Sequence, residues 1–226
     1  MTTTRRDQHL ALFDLDGVIL DSEPLHDYAK KRILTDQSIN SDEDLSWSVG
    51  IDNRQLWSRL IRQHHLSTTP FELEQLQYQY IIERIHEKNI PLSQGLTELL
   101  DWLKTNRFKI GLASSSNRIY VDQLLNHYQL NGYFSYTVAG DEVPVRKPAP
   151  DIYLEAVSQS GIALKNALAI EDSTAGIRAA GAAGLLCIAY ENPTSGNQNT
   201  DEADFKVSRL TGIIAIINRL WNDHGD

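Results

Sequence analysis

From residue 93 to the end, the chain alternates short apolar runs with stretches of helical spacing, and this alternation restricts its fold more than any other feature. Leu96, Leu99, Leu100 and Leu103 recur at i, i+3, i+4 and i+7, which draws one apolar stripe along an amphipathic helix. A strand-like run at 109–113 follows, then helical spacing over about 117–128 with Leu124, Leu125 and Tyr128 on the inner face. Further strands are expected near 135–139, 167–170 and 185–189, and helices over about 149–160, from 173, and over 211–221. The segment 191–204 is polar and irregular. Near the start, Leu10-Ala11-Leu12-Phe13 reads as one more buried strand. Strands separated by helices need right-handed crossovers and form a mainly parallel sheet, so the expected class is α/β with a Rossmann-like parallel-sheet core.

Residues 22–92 break this pattern, because little in them reads as a strand. Helices are expected at about 24–36, 53–65 and 70–88, the last with Leu73, Leu76, Tyr80 and Ile81 at helical spacing. A helical block inserted after the first strand of an α/β domain reads as a cap. The expected organisation is a core domain of residues 1–21 and 93–226, with an α-helical cap domain of residues 22–92.

Four apolar runs end in polar residues. The first runs into Asp14, Asp16 and Gly17; the second, 109–113, into Ser114, Ser115, Ser116 and Asn117. A third segment sets Lys147 ahead of a proline and a helical pattern, and the fourth, 167–170, ends in Glu171, Asp172 and Ser173. Open α/β sheets place their chemistry at the carboxyl ends of strands. Phosphoryl transfer needs a nucleophile, a proton donor, a metal and donors for the phosphate oxygens, and these residues supply all of them. Each has a plainer reading: an Asp-Gly turn for Asp14 and Asp16, helix-starting acids for Glu171 and Asp172, capping serines for the 114–117 loop, and a solvated loop lysine for Lys147.

With these four motifs in this order, the chain resembles the haloacid dehalogenase superfamily of aspartate-nucleophile phosphotransferases over essentially its whole length. Asp21-Ser22-Glu23-Pro24-Leu25-His26 and Lys147-Pro148-Ala149-Pro150-Asp151 resemble the branch containing β-phosphoglucomutase and small sugar-phosphate phosphatases. The resemblance implies that Asp14 is the nucleophile and Asp16 the general acid and base, with Ser114 and Lys147 as the other catalytic residues. It implies Mg²⁺ held by Asp14, the backbone carbonyl of Asp16, and Asp172, with Glu171 ligating directly or through water. Oxygen ligands beside a phosphate suit that ion. Ser115, Ser116 and Asn117 are candidate phosphate or substrate contacts. In the cap, His26 matches a hinge histidine of mutase-like members and Arg54 is a candidate for a second, non-reacting phosphate. An exposed surface position is the alternative for both.

The leading expectation is a Mg²⁺-dependent phosphatase acting on a small phosphorylated metabolite, a sugar phosphate, through an aspartyl-phosphate. A β-phosphoglucomutase-like sugar phosphomutase is the alternative, since it shares every core residue. Mutase-like members carry a cap lysine near Tyr80-Ile81-Ile82-Glu83, and this chain has none there. Carbon–halogen hydrolysis needs no proton donor for halide, so Asp16 and the Glu171-Asp172 pair speak against it. A non-catalytic phosphate-binding module is expected to have lost one of the motifs. The net charge of −9 and the absence of a basic run argue against a nucleic-acid surface. No apolar stretch approaches a membrane span and the polar amino terminus lacks a signal-type apolar region. The single Cys187 lies in an apolar run and allows no internal disulfide. A cytoplasmic monomer is the corresponding expectation.

Overall fold

A computed structural model describes residues 9–39, 45–48 and 51–222; the polar amino terminus lies outside them. They divide into two compact units, one holding residues up to Asp21 and from Leu92 onward, the other Ser22–Pro91.

The first unit is built on six strands: β1 (Leu10–Phe13), β2 (Lys109–Ser114), β3 (Tyr136–Ala139), β4 (Ala167–Glu171), β5 (Leu186–Tyr190) and β6 (Phe205–Val207). They form one sheet in the order β3-β2-β1-β4-β5-β6, and every pairing is parallel. The central strands are apolar without alternation because helices cover both faces; β1 and β4 are buried at every residue. Around them run α4 (Leu96–Thr105), α5 (Arg118–His127), α6 (Asp151–Ser160), α7 (Thr174–Ala182) and α8 (Gly212–Asn222). Leu10, Leu12, Val138, Tyr153, Ile177 and Cys187 belong to the core these elements enclose. Strand order reverses between β1 and β4, the switch point where such sheets open a crevice at their carboxyl ends.

β6 departs from the sequence expectation. Its three residues, Phe-Lys-Val, follow the irregular polar segment and pair with β5 alone at the sheet edge. A half-exposed strand this short has no apolar run to mark it.

The second unit contains α1 (Glu23–Asp36), α2 (Asn53–His64) and α3 (Pro70–Lys88), with no strand among its described residues. Asp52 caps α2 by accepting the N–H groups of Arg54 and Gln55, both at 3.1 Å. Thr69 and Glu72 form a reciprocal capping box on α3. Ile33, Leu34, Leu56, Trp57, Leu60 and Leu73 form its apolar core. Beside that core lies a buried polar chain. Trp57 Nε1, which can only donate, bonds Gln77 Oε1 at 2.7 Å, and this turns Gln77 Nε2 toward His26 Nδ1 at 2.8 Å. None of the described helices is long and apolar enough to cross a membrane.

Candidate active site

The four polar ends predicted to converge do so, and the register explains how. Phe13 stands opposite Leu112 of β2 and Ile170 of β4, so the residues following each strand emerge at the same level. Asp14 extends the ladder by one bond, its N–H donating to Ile170 O at 3.0 Å. Its carboxylate therefore lies between Ala113 and Glu171, at the switch point.

Lys147 enters from the connection between β3 and α6, just before a cis peptide to Pro148. Its Nζ donates to Asp14 Oδ1 at 2.5 Å, Glu171 Oε1 at 2.6 Å and Ala113 O at 2.7 Å. Three donor hydrogens meet three acceptors, so the ammonium is a junction and not a solvated loop lysine. Burial alone would lower its pKa, but the two carboxylates outweigh that and raise it. Glu171 is wholly buried, and its second oxygen accepts from Asp172 N at 3.2 Å and Ser173 Oγ at 3.2 Å. Tyr153, from α6, donates its hydroxyl to Glu171 Oε1 at 2.6 Å. The slot for this carboxylate exists because residue 176 is glycine: a Cβ there would lie 1.9 Å from Glu171 Oε1.

Asp14, Glu171 and Asp172 each offer an oxygen within 4.8 Å of the others. Burial pushes the Asp14 carboxyl up to about 8, with Glu171 and Asp16 adding to the rise and Lys147 opposing it. Burial, then the charges of Asp14 and Glu171, likewise raise Asp172 far above the usual carboxylate range. Lys147 pairs with two of these three buried acids, leaving an excess of negative charge that a hard divalent cation would neutralise. The turn beside them also fits an ion-binding pocket. Gly17 has φ +83°, and a Cβ on it would come within 1.9 Å of Asp172 Oδ2. The donor set and the cradle therefore fit Mg²⁺.

The 114–117 loop is more occupied than its sequence suggests. Ser114 Oγ accepts the N–H of Ser116 at 3.0 Å, which leaves its own hydrogen available. Ser116 Oγ donates to Asp16 Oδ2 at 2.7 Å, and Asn117 Oδ1 caps α5 by accepting Tyr120 N at 2.8 Å. Asn117 Nδ2 is buried and has no partner among the described residues. Ser115, between them, is half-buried.

Four residues here carry no sequence signal of their own. Besides Tyr153, Tyr120 directs its hydroxyl to Asp16 Oδ1 at 3.3 Å. Ser195 Oγ donates to Asp172 Oδ2, and Asn192 Nδ2 donates to Gly17 O at 2.9 Å. The last two come from the irregular segment after β5, whose polar composition reads as ordinary loop.

The two candidates in the helical unit have local partners. His26 is held by Gln77, as described. Arg54 Nε pairs with Glu74 Oε2 at 3.1 Å, and while Glu74 is fully buried, the arginine side chain remains 45% exposed.

Residues 11–190 match the family model described as haloacid dehalogenase-like hydrolase. The chain belongs to that family. Among the proteins it is similar to is protein CbbY of Rhodobacter capsulatus, 29% identical over 214 residues, 88% of this chain and 92% of that protein. Phosphorylated carbohydrates phosphatase of Thermotoga maritima is 29% identical over 186 residues, 77% of this chain and 81% of that one. Of the solved structures, CbbY from Rhodobacter sphaeroides in complex with phosphate superposes with a TM-score of 0.81 at 22% identity, covering 91% of this chain and 96% of that one. That likeness extends the family assignment to the fold, a parallel-sheet α/β core.

Proposed function

We propose that this family member is a Mg²⁺-dependent phosphatase of small phosphorylated metabolites, with sugar phosphates as the substrate class and Asp14 as the nucleophile. The observation that carries the reading is the Lys147 junction, which fixes Asp14 at the carboxyl end of β1 within a cluster of three acids. An Asp14 oxygen attacks phosphorus, forming the aspartyl-phosphate bond as the bond to the departing oxygen breaks. Asp16 gives that oxygen its proton. A water then attacks the same phosphorus, Asp16 takes its proton, and inorganic phosphate leaves with Asp14 regenerated. Ser114 Oγ, the Ser115 N–H and Asn117 Nδ2 are the donors for the substrate, aided by the positive end of α5. Lys147 orients Asp14 and favours its ionised form, opposing the rise that burial imposes.

Asp14, the backbone carbonyl of Asp16 and Asp172, with Glu171 directly or through water, would hold Mg²⁺, which would neutralise charge on the phosphoryl group. In the helical unit, His26 and Arg54 are the candidate substrate-binding residues. The name of the Thermotoga relative supports hydrolysis of sugar phosphates over transfer. So does α3, which has no lysine before Lys88, where a phosphomutase would carry one.

The test is a panel of phosphorylated sugars, nucleotides and acids assayed with Mg²⁺ and with chelator. The reading expects Mg²⁺-dependent release of free phosphate from a sugar phosphate, abolished by Asp14→Asn. Isomerised sugar phosphate without free phosphate would establish the mutase instead. Full turnover by Asp14→Asn would remove the nucleophile.

A further inference from the structure

We infer that Ser116 and Tyr120 are positioning residues for Asp16, together fixing the carboxyl group that moves the proton; the inference rests on the phosphatase reading. The two hydroxyls take different oxygens of one carboxylate, Ser116 on Oδ2 at 2.7 Å and Tyr120 on Oδ1 at 3.3 Å. A carboxylate held at both oxygens can neither rotate about its terminal bond nor change rotamer without breaking a bond. Both donors are themselves fixed. The Ser116 N–H is anchored on Ser114 Oγ, and its carbonyl accepts Gly140 N at 2.8 Å. Gly140 packs so closely that a Cβ would stand 2.1 Å from Ser115 O, so this loop has no room to shift. Tyr120 is fully buried, and its backbone N–H is tied to Asn117 Oδ1 at 2.8 Å. The first turn of α5 and the loop before it thus form one clamp around a side chain that arrives from the loop after the neighbouring strand β1.

The clamp bears on one step. As the bond from phosphorus to the departing alcohol oxygen breaks, the proton passes from Asp16 to that oxygen. The anion left behind is the form that accepts both hydroxyl bonds. An alkyl alcohol is a poor leaving group and depends on this proton, whereas p-nitrophenolate departs without it. A residue that only maintained the fold would affect both substrates equally.

The experiment compares kcat/KM of the whole protein for a sugar phosphate and for p-nitrophenyl phosphate, since kcat/KM extends only to departure of the leaving group. Positioned acid catalysis contributes about 10²–10⁴-fold, so Ser116→Ala should lower the sugar-phosphate value about tenfold and Tyr120→Phe about threefold. In each variant the aryl ester should lose less than the sugar phosphate, because its leaving group does not need the proton. Tyr120→Phe keeps the buried ring, so it tests the hydroxyl alone; Ser116→Ala tests the other oxygen independently. Equal losses on the two esters, or no loss on the sugar phosphate, would overturn the assignment by itself. A wild type that releases phosphate from neither ester would overturn the phosphatase reading and the assignment with it.

Discussion

Replacing Lys147 by methionine keeps most of the buried stem and removes the charge at the centre of the site. In the native protein the ammonium sits 2.5 Å from Asp14 and 2.6 Å from Glu171, and only 4% of its side chain is exposed. Lys147→Met leaves two buried carboxylates facing one another and Ala113 O without its partner. Breaking a buried pair in this way costs about 3–5 kcal/mol. Total stabilities run about 5–15 kcal/mol, so the loss is a large fraction of the whole. Its pH dependence follows from Asp14, whose folded pKa of about 8 lies above the ordinary 3.8. A group raised in this way contributes stability in full below the unfolded value and loses it as pH rises through the folded one. Removing the ammonium pushes the Asp14 carboxyl higher still, so the variant should be penalised most above about pH 8, where the native Asp14 ionises beside its counter-charge and the variant's cannot, and less near pH 6. Urea unfolding of both proteins in chelator at the two pH values measures this. A difference under about 1 kcal/mol at the higher pH, or a larger one at the lower, would refute the reasoning.

Three further outcomes are expected. Mg²⁺ should raise the melting temperature more at alkaline than at mildly acid pH, because Asp14 and Asp172, both raised by burial, must lose protons to bind it; a calorimetric scan with and without Mg²⁺ at each pH decides, and the reverse trend would remove the ion from this cluster. Gly176→Ala forces a Cβ to 1.9 Å from Glu171 Oε1 and should destabilise by about 1–3 kcal/mol while depressing turnover, read by thermal melting and phosphate release. Thr69→Ala removes the capping box of α3 and should cost about 1 kcal/mol with kcat unchanged, which denaturation and kinetics check together.

The parallel core is legible because its central strands carry unbroken apolar runs, as in Leu10–Phe13 and 167–170, and because each runs into residues that have no reason to follow a buried strand unless they work there. Lys147 was found from its place before a proline and a helix. Its three acceptors come from β2, β4 and the residue just after β1, and no local pattern encodes that meeting. The same limit hid Tyr120 and Tyr153. Each occupies an ordinary inward position of an amphipathic helix, and only tertiary packing turns its hydroxyl toward Asp16 or Glu171. Ser195 and Asn192 lie in a polar segment whose composition matches any surface loop, yet they close on Asp172 and Gly17. Ser116 carried a readable signal that pointed elsewhere: a serine in a phosphate-type loop suggests a ligand contact, while here its hydroxyl is taken by a carboxylate 100 residues away.

The central claim is a covalent bond between Asp14 and phosphorus, and trapping that bond tests it most directly. Borohydride added during turnover of a hydrolysed sugar phosphate reduces an aspartyl-phosphate, and peptide mass spectrometry then locates the reduced residue. The account predicts that Asp14 is converted to homoserine in the wild type, that Asp16 and Asp172 are untouched, and that Asp14→Asn shows neither turnover nor modification. Sustained turnover with Asp14 unmodified, or reduction at another aspartate, would contradict it.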